Sequence, residues 1–242
     1  MAGPAAGVVP QFRLVHSMYA RSFRCLWTLT ELGLEGQCDL VTLPFPPRVF
    51  HPEFIKTNVL GTIPYFEDLT PGTPPQQMTE SCAIPLYLVS KYRPESPLGL
   101  SASHPQYGEF LNWISHAEAT LTFPQTVVLR YTVQEPAVAD AAAKGYARWY
   151  WARLRKLNAA LADGREFLVG DRFTIADVCV TFALYLGKGL RVEGRALADA
   201  YKPQTAAYLA QMTARPGWKR AEELQEASIA RYEAEHGGKA KM

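Results

Sequence analysis

Three hydroxyl side chains crowd one short segment, HSMYARSFR: Ser17, Tyr19 and Ser22. A hydroxyl at a strand-to-helix turn can donate a hydrogen bond to an anion, and the N-terminus of the following helix favours negative charge at the same place. Arg21 and Arg24 share the segment. Cations at a helix start oppose the macrodipole, and a local conflict of this kind marks functional sites. Arg21 therefore reads as facing an anion, with two solvated surface arginines as the alternative. Ser22 sits where an ordinary helix cap is expected in any case.

A second group is TIP (Thr62, Ile63, Pro64) followed by TES, with Glu80 and Ser81 ahead of a helix. A proline at a strand start is tolerable on an edge. Capping and dipole complementarity account for Ser81 and Glu80 without function. A hydroxyl at a helix N-terminus is equally an anion site, and a carboxylate is what an ammonium group seeks. In the third segment, GDRFTIAD, Thr174 and Asp177 have capping-box spacing, and Phe173 and Val178 occupy the staple positions. That segment serves folding, not chemistry. Cys25, Cys38, Cys82 and Cys179 form neither CxxC pairs nor zinc spacing with histidines, so no metal is expected and the thiols read as reduced, in a cytosolic compartment.

The elements that must position these residues fall in two blocks. Alternation at Phe12 to His16 predicts a strand, and Ser22 to Leu32 a helix stopped by Gly33. A strand at Asp39–Leu43, a short helix at His51–Val59, strands at Ile63–Glu67 and Gln76–Met78 and a helix at Ser81–Lys91 complete a mixed four-stranded sheet covered by helices. The Pro/Ser-rich stretch at 94–103 reads as a linker. Beyond it strand signals vanish, and helical periodicity marks Tyr107–Val128, Val138–Leu161, Ile175–Leu186, Ala200–Ala214 and Trp218–Ala234. The expected organisation is an α/β domain over 11–93 and an all-α domain over 104–236, with disordered tails at 1–10 and 237–242.

The 242 residues suffice for one large domain or two small ones. A count of 25 basic against 23 acidic side chains gives +2, without the basic clusters of a nucleic-acid surface. No apolar run reaches the ~18 residues of a membrane span, and the opening decapeptide lacks the features of a secretory signal. A cytoplasmic enzyme or binding module is the expectation.

The three segments, in this order and spacing, resemble the cytosolic glutathione transferase superfamily over most of the chain. The resemblance implies a thioredoxin-like N-terminal domain, an all-helical bundle behind it, a homodimer, and glutathione as co-substrate. It implies that Pro64 is cis and presents the backbone of Ile63 to the cysteinyl part of the tripeptide. It assigns Ser81 to the γ-glutamyl carboxylate and Glu80 to the ammonium. The implied reaction is attack of a glutathione thiolate on a small hydrophobic or aromatic electrophile. Lowering a thiol pKa from about 8.5 to about 6.5 needs roughly 2.7 kcal/mol, within reach of one charge-assisted hydrogen bond plus a helix N-terminus.

Counted back from Gly33, the position of the active hydroxyl in serine-type members is held by Tyr19; Ser22 and Ser17 follow as candidates. Tyrosine-type members place theirs earlier, where Val15 and His16 stand, so the chain fits neither pattern. A cysteine-type activity is disfavoured, because Cys25 falls inside the helix among apolar neighbours. For the acceptor, Trp113, His116 and Thr120 share one face of the first long helix at helical spacing; the same spacing describes a core. Rival readings are a glutathione-dependent isomerase, dehalogenase or ether-cleaving enzyme of aromatic catabolism, and a non-catalytic ligand-binding or scaffold relative.

Overall fold

The computed structural model describes residues 9–136 and 140–237. The expected tails lie largely outside the described residues, as does Val138 at the start of one expected helix. Contacts divide the chain into two compact units: Met1–Ser96 with Arg215–Met242, and Pro97–Ala214.

The first unit carries a four-stranded sheet of β1 (Phe12–His16), β2 (Cys38–Thr42), β3 (Tyr65–Asp68) and β4 (Gln76–Met78), in the order β2-β1-β3-β4. β1 pairs with β2 in parallel, and β3 is antiparallel to both β1 and β4. β3 begins at Tyr65, not at Ile63 as expected, because Pro64 has no N–H to give a ladder. Helices α1 (Phe23–Glu31), the single turn α2 (Pro47–Phe50) and α3 (Ala83–Tyr92) complete the thioredoxin-like arrangement. Phe12, Leu14, Leu26, Leu29, Phe66 and Leu88 are buried between sheet and helices.

The second unit is helical: α4 (Tyr107–Ser115), α5 (Phe123–Leu129), α6 (Asp140–Ala160), α7 (Ile175–Gly189) and α8 (Pro203–Thr213). A small hairpin of β5 (Arg191–Val192) and β6 (Arg195–Ala196), turning at Glu193 and Gly194, interrupts a region expected to hold no strand. Its strands are too short to show alternation. The capping segment behaves as expected. Asp177 Oδ2 accepts the Thr174 N–H at 2.8 Å and the Thr174 hydroxyl at 3.0 Å. Its Oδ1 accepts the Leu168 N–H at 2.9 Å and the Tyr208 hydroxyl at 2.8 Å.

The last helix, α9 (Pro216–His236), was expected in the helical domain over 104–236, yet it packs with the first unit. Trp218 packs tilted against Phe23 (4.6 Å between centroids) and edge-on against Trp27 (4.8 Å). Arg215, just ahead of α9, clamps the carboxylate of Glu31 with two hydrogen bonds of 2.9 Å. Periodicity shows that a helix has an apolar face; it does not say which neighbour that face covers.

Candidate functional site

Sheet direction brings the chemical segments to one end of the first unit. The hydroxyl-rich turn follows the C-terminal end of β1, and TES follows the C-terminal end of β4. TIP precedes the N-terminal end of β3, whose Tyr65 pairs with Val15 of β1. Because β3 runs against both neighbours, all three segments emerge at the same edge. Ala20 of the turn and Ile63 belong to one buried cluster with Val15, Leu43, Phe54 and Tyr65.

The turn separates its three hydroxyls. Ser17 is buried, and its Oγ donates to the carbonyl of Leu43 at 2.5 Å. Ser22 is also buried and does not cap α1; its Oγ lies 2.8 Å from His16 Nδ1. The cap expected there is therefore corrected: the side chain turns inward to a ring nitrogen, not forward to the helix N–H groups. Tyr19 alone of the three is exposed, at 47%, and its φ of 58° places it in the left-handed region. A non-glycine residue held there costs about 1–2 kcal/mol, and such outliers cluster at functional sites. Arg21 is half-buried beside it.

At the second segment the Ile63–Pro64 bond is cis, as the resemblance implies, and so is Phe45–Pro46. Ile63 and Pro64 are buried, and the carbonyl of the half-buried Thr62 accepts from Asn58 Nδ2 at 2.8 Å. Glu80 is exposed and Ser81 is buried. Ser81 does not cap α3, since the residue at that cap is Cys82. Its Oγ instead accepts from Arg24 Nη1 at 2.9 Å. Arg24 is not a solvated surface arginine; it has no exposed surface and reaches from α1 to the start of α3. A hydroxyl that accepts from a guanidinium keeps its own proton to donate, next to a positive charge. That pairing suits a carboxylate, and the exposed Glu80 suits an ammonium group. The sequence reading singles out Arg21 as the cation facing an anion; Arg24 lies inside α1 and is turned inward, whereas Arg21 precedes that helix and is half-buried.

Cys25 is fully buried, and burial pushes its thiol well above the ordinary range. Burial raises the Cys38 thiol likewise. Neither is a nucleophile in this state. Among the described residues no group of three or more His, Cys, Asp or Glu side chains could hold a metal ion. No described helix is long and apolar enough to cross a membrane.

In the second unit, Trp113 has no exposed surface. Its Nε1 donates to Glu109 Oε1 at 3.2 Å, and Lys156 Nζ lies 4.5 Å from its ring centroid. It is a core residue, not the exposed wall of an acceptor pocket. His116 meets it edge-on at 5.4 Å and is half-buried, its Nε2 buried without a hydrogen-bond partner. Burial, then the nearby charges of Lys156 and Arg153, push its pKa down to about 4. The expected single helix from Tyr107 changes to π-helical winding over His116–Thr122, and Thr122 Oγ1 donates to the Ala117 carbonyl at 2.8 Å. Pro124 supplies the reason: its ring would clash with the carbonyl four residues back in an α-helix, and the wider turn relieves this. The half-buried Thr120 lies within this wider turn.

Comparison with known proteins agrees with this architecture. The Glutathione S-transferase N-terminal domain model matches residues 10–90, and the Glutathione S-transferase C-terminal domain model matches residues 128–216. Elongation factor 1-gamma 2 of Oryza sativa subsp. japonica is 28% identical over 70% of the chain. That stretch is 38% of the rice protein, so the chain spans well under half of this relative. Glutathione S-transferase F10 of Arabidopsis thaliana is 25% identical over 84% of the chain and 92% of its own length. Among solved structures, glutathione transferase URE2P8 of Phanerochaete chrysosporium, crystallised with oxidised glutathione, superposes with a TM-score of 0.76 at 21% identity. The match covers 93% of this chain and all of that one. With both domain models matched in order on a thioredoxin-like sheet followed by helices, the chain belongs to the glutathione transferase superfamily.

Proposed function

We propose that the protein binds glutathione and activates it as a thiolate for attack on a small hydrophobic or aromatic electrophile, with Tyr19 donating to the sulfur. The observation that carries this reading is the division of labour in the turn: Ser17 and Ser22 are buried with partners inside the fold, whereas Tyr19 is exposed on a left-handed backbone. Ser81, backed by Arg24, receives the γ-glutamyl carboxylate, and Glu80 the ammonium. The Thr62–Pro64 segment lies along the cysteinyl backbone, and Arg21 offers a cation beside Tyr19. The phenol supplies electrostatic stabilisation of sulfur, and the tripeptide cradle supplies orientation; no covalent enzyme intermediate is involved. The protein works in the cytoplasm as a homodimer, and within this chemistry an isomerisation, dehalogenation or ether cleavage is an alternative outcome for the same thiolate.

Titrating the thiolate absorbance of bound glutathione tests the reading. The wild-type protein lowers the thiol pKa by about two units, and Tyr19→Phe returns it most of the way to the free value of about 8.5. An unshifted thiol in the wild-type protein refutes it. A second reading is a non-catalytic binding domain on the same fold, for which the 28% identity to elongation factor 1-gamma 2 gives only slight support. That reading predicts no calorimetric heat with glutathione at millimolar concentration.

A further inference from the structure

A fully internal side-chain chain joins the reactive turn to the last helix. Ser22 Oγ lies 2.8 Å from His16 Nδ1, and His16 Nε2 lies 2.9 Å from Gln225 Oε1 of α9. Ser22 and His16 have no exposed surface, and Gln225 is 8% exposed. An amide oxygen at Nε2 requires that nitrogen to carry the proton, which leaves Nδ1 as the acceptor for the Ser22 hydroxyl. The serine proton is thereby committed to the ring.

The arrangement superficially matches a nucleophile–base–orienter triad, but it does not work as one. The serine is out of reach of any substrate, and a neutral amide does not offset the charge of an imidazolium. Its consequence is geometric. His16 is the last residue of β1 and Ser22 the residue before α1, so their bond closes the base of the loop that carries Tyr19. The loop is also pinned to Leu43, the residue after β2, by Ser17 Oγ on the Leu43 carbonyl at 2.5 Å and by the Leu43 N–H on the His16 carbonyl at 2.9 Å. A left-handed tyrosine persists only where its surroundings over-determine it.

We propose that His16 is a positioning residue which, held by Gln225, locks the 17–21 loop in the form that presents the Tyr19 phenol, making α9 part of the thiol-activating machinery without touching substrate. This rests on the reading of Tyr19 as the donor to sulfur. His16→Leu removes both polar links at similar volume, whereas His16→Gln keeps an amide able to accept from Ser22 and donate to Gln225.

The test measures the thiol pKa of bound glutathione, and kcat and KM with an activated aryl halide, for both variants and for Tyr19→Phe. In His16→Leu the thiol pKa rises by about one unit and kcat falls about tenfold with KM for glutathione within about twofold, while His16→Gln recovers most of both. A purely structural role would lower the melting temperature and leave the thiol pKa and kcat of the folded fraction unchanged; that result overturns the proposal. If His16→Leu does not fold, Gln225→Met leaves the ring in place, and about a threefold fall in kcat is expected; an unchanged kcat and thiol pKa overturns the proposal in the same way. When Tyr19→Phe raises the thiol pKa and the His16 and Gln225 variants do not, only the positioning role fails. A thiol pKa in Tyr19→Phe that stays at the wild-type value removes the donor reading and this proposal together.

Discussion

Arg24, wholly buried in α1, places Nη1 2.9 Å from the Oγ of Ser81, 57 residues further along the chain. The contact sets a fixed positive charge behind a hydroxyl that remains free to donate, at the start of α3. Arg24→Met should raise the Kd for glutathione about tenfold, because the Ser81 hydroxyl that receives the carboxylate loses the positive charge behind it. Stability should change by less than about 1 kcal/mol, since an apolar chain of similar length in place of a buried charge is often neutral. Calorimetry with glutathione and thermal unfolding of the same sample separate the two effects.

Tyr19→Gly should stabilise the fold by up to about 1 kcal/mol, because glycine adopts the left-handed conformation without the Cβ penalty. The half-exposed phenol gives up little packing. Activity should fall to the level of Tyr19→Phe. Denaturant midpoints and the thiol titration check both halves; a less stable glycine variant would show that the phenol packs more than its exposure implies.

His16 makes the protein acid-sensitive. Burial pushes its pKa down from the ordinary 6.5 to about 4. The unfolded chain therefore binds a proton between these values that the native state refuses, so stability falls as pH drops from about 6.5 towards 4. The loss by pH 4 is about 3 kcal/mol, following from the size of the shift. Unfolding measured at pH 7 and pH 4 should show this difference shrink in His16→Gln. An identical pH dependence in that variant would exclude His16 as the source.

Asp177 carries more than a cap. Its carboxylate accepts from Thr174, Leu168 and Tyr208 with no exposed surface. Asp177→Ala should cost about 3–5 kcal/mol, above the ~1 kcal/mol of an exposed cap, because it strands several buried donors. Tyr208→Phe removes one of those bonds alone and should cost about 1 kcal/mol. Urea unfolding of the two variants tests the ordering.

Much of the fold was legible along the chain. Alternation at Phe12–His16, the Gly33 stop, and the Thr174–Asp177 spacing are local signals, because they depend on backbone period and on capping within one turn. The two-block organisation followed from the disappearance of strand signals after the linker. The site was legible in part: TIP and TES are contiguous, so their residue types could be read together, and strand direction carried them to one edge.

What the sequence by itself determined is therefore the order of the four sheet strands and their helices, the helical character of the second block, the TIP and TES segments, and the presence of three hydroxyls at one turn. Only the tertiary structure decided which hydroxyl faces outward, that Arg24 and not Arg21 backs Ser81, that α9 joins the first unit, and that Pro124 widens the helix that carries Thr120. Each of these depends on partners distant in the chain or on the rotation of a helix about its axis. Burial and hydrogen bonding set both, and side-chain spacing alone leaves them open.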